Sequence, residues 1–460
     1  MATLSSLNAL TALSPLDGRY HRKCAQLRQF FSEFALMHAR VTVEVEWLLH
    51  LSAQRGIEEV SEFSPEDANF LRELANGFSM RDAKRIRKID ALINHDVKAV
   101  EYFIKEKISA QESPALAKCI EFVHFACTSD DINNLSYAIL LKRAREEIVL
   151  PQMRALIDAL LLPAKRYAKQ PMLARTHGQP ASPTTVGKEF ANFAARLERA
   201  HDDFAALPML AKFNGASGNF NAHLAAYPQL DWERIAAAFV RGFGLEYQPM
   251  STQIEPHDHL AALCDGLRRF NIIVLDLDRD LWGYISLGYF RRKVPKHEVE
   301  SSTMPHKANP IDFENSEGNL GVANALLLHF SEKLPVSRWQ RDLSDSTVLR
   351  NLGVAFGHSM LAFAASIKGL SQLVLNEDRL RSDLERNWEV LAEAVQTVMR
   401  RHGAEFPYEI LKELIRRGIF ATKDDLHKFI KELEIPEEAK RRLLEMTPAN
   451  YTGRAAEAAA

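Results

Sequence analysis

No Cys-x-x-Cys pair occurs in this 460-residue chain, and its four cysteines, Cys24, Cys119, Cys127 and Cys264, are widely scattered. That excludes a zinc-knuckle spacing and a disulfide framework, and it fits a reducing compartment. Excess charge of either sign is also missing: 58 Lys and Arg stand against 60 Asp and Glu, for a net charge of -2. No global field therefore draws the protein to nucleic acid or to an anionic membrane, and an anionic ligand must meet local basic groups. Neither a G-x-G-x-x-G nor a P-loop sequence is present, which disfavours dinucleotide and phosphate-loop folds. The start, Met1 to Pro15, has no basic residue ahead of its apolar positions, and no apolar run is read as a membrane span. The expected location is the cytoplasm. There is no internal repeat of fixed period and no low-complexity linker.

What the chain does have is helical periodicity. Its length sets a prior of about three domains and permits burial of roughly three quarters of the unfolded surface. Hydrophobic residues at 47% and charged residues at 26% are ordinary for a soluble globular protein. A helical pattern runs from about Leu27 to Ala53, and Phe63-Ser64-Pro65-Glu66 reads as a helix start with Ser64 as cap and Pro65 in the first turn. From about Leu116 to Leu370 the helical pattern dominates. Phe190, Phe193, Leu197, His201 and Phe204 keep i, i+3, i+4 spacing after a start expected at Ser182-Pro183, and Phe270 to Ile285 does the same. From about Leu375 the chain is richer in Glu, Lys and Arg with short helical patterns, as in Asp424 to Leu444. The expectation is an all-α protein of three parts: an N-terminal helical domain (1–115), a central long-helix bundle (116–370) and a small C-terminal helical domain (371–460).

Polar loops interrupt the helices. Ser301 to Pro310 reads Ser-Ser-Thr-Met-Pro-His-Lys-Ala-Asn-Pro, and two prolines disfavour a continuous helix or central strand there. Most such segments are capped turns. Ser14 to Tyr20 is a Pro and Asp-Gly turn presenting Arg19 and Tyr20 side by side. Asn94, His95, Asp96, Lys98 and Glu101 gather at a helix start, where a histidine is ordinarily a cap or solvated. Thr128-Ser129-Asp130-Asp131 opens the next helix, with an N-cap and dipole-favoured acids as the ordinary reading. Ala174 to Pro180 leaves His177 on a short loop, and Gln253 offers an amide in another polar turn. Asn315 begins a polar run after the Ser301 loop. If a helix starts at Ser346, then Ser346 and Arg350 share a face beside unpaired backbone donors, with Thr347 between them; that arrangement can hold a phosphate, and Arg341 lies just upstream. Its ordinary counterpart is a capped helix with a solvated arginine.

Taken together, these motifs resemble those of the fumarase/aspartase superfamily, in the same chain order and over nearly the full length. The Ser301 loop carries the likeness most strongly through Ser301, Ser302, Met304, Pro305, Lys307 and Asn309. Within the superfamily the chain most resembles the long bacterial type of the branch that releases fumarate from adenylosuccinate, leaving AMP, and from the succinyl-carboxamide ribotide SAICAR, leaving AICAR. The residues carrying that closer likeness are Asp17 to Tyr20, Asn94 to Asp96, Thr128-Ser129, Arg175 to Pro180, Gln253, Arg341 and Ser346 to Arg350.

The resemblance implies a β-elimination in purine synthesis with three tasks. Ser301 would be the base that removes a weakly acidic proton beside a carboxylate, helped by Lys307 and loop amides once water is excluded. Lys307, Asn309 and Thr128 or Ser129 would meet the developing carboxylate charge. His177 would protonate the leaving nitrogen. Arg19, Tyr20, Arg341, Ser346, Thr347 and Arg350 would take the nucleotide and its phosphate, and Asn94, His95, Asp96, Gln253 and Asn315 the rest of the substrate. No cofactor and no metal are implied. The family fold is a three-domain bundle in a homotetramer with shared active sites. One departure stands out: Glu300 occupies the place where the family commonly has a glycine hinge before the serine pair. Three other readings stay open: a lyase acting on argininosuccinate, a non-catalytic helical scaffold, and a nucleotide-binding regulator.

Overall fold

The computed structural model describes residues 7–60, 62–293, 304, 308–417 and 422–460. Among them α-helices carry nearly all the regular structure, with three two-stranded ribbons beside them. The all-α expectation holds. The chain forms two compact units, each built from three segments: Met1–Gln152, Ala200–Ile272 and Asn319–Leu361 in the first, and Met153–Arg199, Ile273–Gly318 and Ala362–Ala460 in the second.

In the first unit the Glu33–Ser52 helix is the central rod. It buries residues on most of its circumference, among them Val41, Val43, Val45, Trp47, Leu48 and Leu51, as a core helix must. The Trp47 indole packs against Phe213 and Phe239 and donates its N–H to the Phe125 carbonyl at 3.1 Å, which keeps its one polar atom satisfied. The predicted helix from Leu27 is broken: Arg28–Phe31 and Glu33–Ser52 are separate, because Ser32 adopts an extended conformation and caps the second helix by accepting from the Ala35 N–H. Ser64 and Pro65 start the Pro65–Asn76 helix as read from the sequence. The Met80–Ile93 helix ends on Asn94 in the left-handed region (φ 52°), and the chain turns at once into the Asp96–Ser109 helix.

The Leu150–Arg166 helix enters the second unit at Met153 and is followed there by an antiparallel hairpin, Pro171–Thr176 with Gln179–Thr185, and then by the Val186–Ala205 helix, which belongs to this unit as far as Arg199. The helix start expected at Ser182-Pro183 is therefore a strand. Both residues lie in the second strand where the register shifts between Met172 and Ala174, a bulge position at which proline is tolerated, and Thr185 caps the helix through the Lys188 N–H. Phe290–Arg292 pairs with Leu373–Leu375. The C-terminal helices close around Leu391, Val395, Met399, Leu411, Leu426, Ile430 and Leu443.

Gly187 shows how tightly the second unit is packed. A Cβ there would lie 2.3 Å from the Ala164 carbonyl oxygen and 2.5 Å from Ala168 Cα. Both are backbone atoms, so relief requires moving a helix. Gly187→Ala is expected to destabilise the fold by at least about 1–3 kcal/mol, seen as a lower midpoint in urea unfolding.

The Ser344–Ser371 stretch is long and apolar enough in composition to cross a membrane, contrary to the sequence reading, but 61% of its most apolar window is buried inside the protein. Such burial is what a core helix shows.

Candidate active site

A cleft of about 730 Å³ opens in the first unit. Asn94, His95, Asp96, Thr128, Ser129, Gln253, Arg341, Ser346 and Arg350 all line it, so residues singled out from four separate polar turns meet in one place. Glu33, Met37, Arg87, Asp90, Asn133 and Leu343 line it too, and none of these was picked out in the sequence. The signal that could have found them is helical spacing: Met37 lies four after Glu33, Asp90 and Asn94 lie three and seven after Arg87, and Asn133 lies four after Ser129.

Two helices present their N-termini at the cleft. His95 caps the Asp96–Ser109 helix, its Nδ1 accepting from the Lys98 N–H at 3.1 Å. Thr128 and Asp131 form a capping box at the start of Ser129–Ala144. Helix N-termini carry partial positive charge and favour anions. Asp131 does more than cap: it also accepts from the Asn214 and Gly215 N–H groups and pairs at 2.9 Å with Lys212, both side chains being fully buried.

Arg350 is exposed but not unpaired. It pairs with Glu33 and Asp96 at 2.9 Å each, and Asp96 also meets buried Arg40 at 2.8 Å. Burial would raise the Asp96 pKa, but the two guanidinium groups outweigh it and hold the carboxyl below its usual range. The helix expected from Ser346 starts two residues earlier, as Ser344–Leu349. Its first N–H groups are not free: Asp342 accepts from the Ser344 N–H at 2.8 Å and Asp345 from the Ser346 N–H at 2.8 Å. Two acids in the local sequence satisfy the donors that the sequence reading left open.

Behind the cleft lies a buried polar cluster. Arg341 reaches Asp130 at 3.5 Å, the Glu255 N–H donates to Asp130 at 3.2 Å, and His257 lies 3.4 Å from both Glu255 and Asp345.

His177 belongs to the second unit. It and Gly178 form the two-residue turn of the hairpin, both at positive φ (53° and 73°), which is the backbone a tight hairpin turn demands. The side chain is exposed. Two residues earlier Arg175 donates to Asp383 at 2.6 Å, and Tyr289 donates to the same carboxylate, anchoring the strand beneath the turn.

Of the other sequence candidates, exposed Arg19, half-buried Tyr20 and exposed Thr347 are in the first unit but do not line the cleft. Half-buried Asn309 and exposed Asn315 belong to the second. Ser301 and Lys307, with Glu300, lie outside the described residues.

Comparison with known proteins places this geometry. Residues 18–324 match the family described as "Lyase", and residues 337–452 match "Adenylosuccinate lyase C-terminal". The chain is 55% identical to adenylosuccinate lyase of Escherichia coli K12 over 98% of each chain, and 54% identical to those of Haemophilus influenzae and Vibrio cholerae, again over 98% of each. The chain belongs to the adenylosuccinate lyase family. The two matched regions take in every candidate site residue from Arg19 to Arg350. Membership in the adenylosuccinate lyase family, rather than a sister branch, also decides between the two lyase families that the sequence left open. Solved structures share the fold: a fumarate lyase from Mesorhizobium sp. BNC1 superposes with a TM-score of 0.74 at 19% identity, covering 95% of this chain and 96% of that one. The 3-carboxy-cis,cis-muconate lactonizing enzyme of Pseudomonas putida gives 0.73 at 20%, covering 95% of each.

Proposed function

We propose that this chain eliminates fumarate from adenylosuccinate, leaving AMP, and from SAICAR, leaving AICAR, without metal or cofactor. The observation that carries the reading is the convergence of Asn94, His95, Asp96, Thr128, Ser129, Gln253, Arg341, Ser346 and Arg350 on one cleft, in a member of the adenylosuccinate lyase family. Both substrates carry a phosphate and two carboxylates, so their pocket needs cations and oriented donors. Arg87, Arg341, Arg350 and two helix N-termini supply these. Arg341 uses one nitrogen on Asp130, and a guanidinium has five N–H donors in all, which leaves capacity for a phosphate.

In this reading Ser301 removes the proton beside the carboxylate, and Lys307 and Asn309 hold the charge that develops. His177 protonates the amine as the carbon–nitrogen bond breaks. Arg19 and Tyr20 complete the nucleotide site, and Asn315 and Thr347 contribute to binding. Separate loops supplying one reaction fit a homotetramer with shared sites, and a purine-synthesis enzyme of this kind works in the cytoplasm.

The deciding experiment mixes the purified protein with adenylosuccinate, with no metal or cofactor added, and follows AMP and fumarate together. Equal appearance of both establishes the activity. AMP binding without fumarate release would instead favour the regulator, and silence with both substrates the scaffold.

Glu300 in place of a glycine is expected to be tolerated. Glu300→Gly should leave turnover within the same order of magnitude in a steady-state assay, and a rise of several orders would show that the glutamate obstructs the base.

A further inference from the structure

The cluster behind the cleft is used by no step above, although its connections are to the cleft itself. Asp130, Glu255 and Asp345 are three carboxylates buried to within 4% of full enclosure. Each sits one or two residues from a cleft-lining group: Asp130 follows Ser129, Glu255 lies two after Gln253, and Asp345 precedes Ser346. Three chain segments far apart in sequence thus turn an acid inward where they present a polar group outward. Buried acids held this close repel one another unless cations lie between them. Arg341 serves Asp130. Between the other two stands His257, which is 2% exposed, with Nε2 3.4 Å from Asp345 and Nδ1 3.4 Å from Glu255. Its backbone is held at φ 65°, an uncommon conformation for a histidine, with its own N–H donating to Glu255 at 2.7 Å.

We infer that His257, as an imidazolium between Glu255 and Asp345, is a positioning residue that holds the Ser346 segment, against the Gln253 and Ser129 segments beside it, in the register that binds the nucleotide, so that its deprotonation weakens nucleotide binding. This rests on the lyase reading for the identity of the nucleotide. The groups facing His257 from each segment are Asp345, Glu255 and Asp130. His259 shares Glu255 at 3.1 Å, and Arg341 and Lys212 act on Asp130.

The balance of burial and charge agrees with the geometry. Burial pulls the His257 pKa down, but Asp345, Glu255 and the Asp130 charge overcome this and raise it to about 9. Against its own burial, Glu255 is drawn down to about 2 by His257 and His259. A histidine whose folded pKa lies above the unfolded value of about 6.5 contributes stability that is complete below that pH and is lost as pH rises through about 9. The cleft should follow the same curve.

The test measures AMP binding to the full-length protein by calorimetry from pH 7 to 10, beside steady-state cleavage of adenylosuccinate. Wild-type affinity should fall by about tenfold or more across that range, the size typical of coupling between two linked sites. His257→Gln should bind AMP weakly already at pH 7, with the alkaline decline removed, while kcat changes far less than KM. Flat wild-type affinity overturns the inference, as does a decline that His257→Gln reproduces unchanged. Should His257→Gln not fold, Asp345→Asn must move the wild-type decline to lower pH, and no movement counts against the inference. AMP binding that follows this curve without any release of fumarate would instead refute the lyase reading and leave the role of His257 standing.

Discussion

Replacing His177 by asparagine is expected to lower adenylosuccinate turnover by roughly two to four powers of ten, with KM moving far less. The expelled amine is a poor leaving group unless a proton reaches its nitrogen as the bond breaks, and asparagine cannot donate one at neutral pH. Asparagine is the right probe because His177 occupies the left-handed region in the hairpin turn, and asparagine tolerates that backbone better than most residues. Arg175, Tyr289 and Asp383 hold the strand beneath independently of the turn, so the loss should report chemistry rather than unfolding. Single-turnover measurement separates the two effects: slow chemistry on fully bound substrate supports the acid role, and near-normal chemistry removes His177 from it. Ser301→Ala should be comparably slow, since the base role falls on the first serine of the pair.

The largest loss of stability is expected from Asp131→Ala. This carboxylate caps the Ser129–Ala144 helix, receives the N–H groups of Asn214 and Gly215, and neutralises an ammonium with no exposed surface. Its removal strands Lys212 in the interior, leaving its ammonium the Gly215 carbonyl at 3.0 Å. Breaking a buried pair in this way costs about 3–5 kcal/mol. Lys212→Met should cost less, because three backbone N–H groups still hold the carboxylate. Urea unfolding of the two variants checks the order. A milder effect for Asp131→Ala than for Lys212→Met would mean that the nest of N–H groups, not the ion pair, is dispensable. Because the same acid caps the helix that starts at Ser129, nucleotide binding should weaken along with stability.

The helices were legible in the sequence because each obeys local rules. Ser64 followed by Pro65, the Thr128 to Asp131 box and the apolar spacing of 270–285 each specify an element from a few neighbouring residues. The Ser301 motif and its companions marked the family by their resemblance to its signature, residue by residue along the chain. Local rules failed where a partner outside the motif as read decided the outcome. Ser182-Pro183 looks like a helix start, but pairing with 171–176 makes it a strand. Ser346 looks like a free helix N-terminus, but Asp342 and Asp345 have taken its donors, and Arg350 looks unpaired until Glu33, hundreds of residues away, arrives beside it. Local patterns thus determined on their own that this is a helical protein, and the resemblance of its motifs pointed to the adenylosuccinate lyase family. Only the tertiary structure decided that Ser129, Gln253 and Ser346 share a wall with three buried acids and one histidine behind it, because burial and charge pairing depend on which segments meet, and no spacing in the sequence records that.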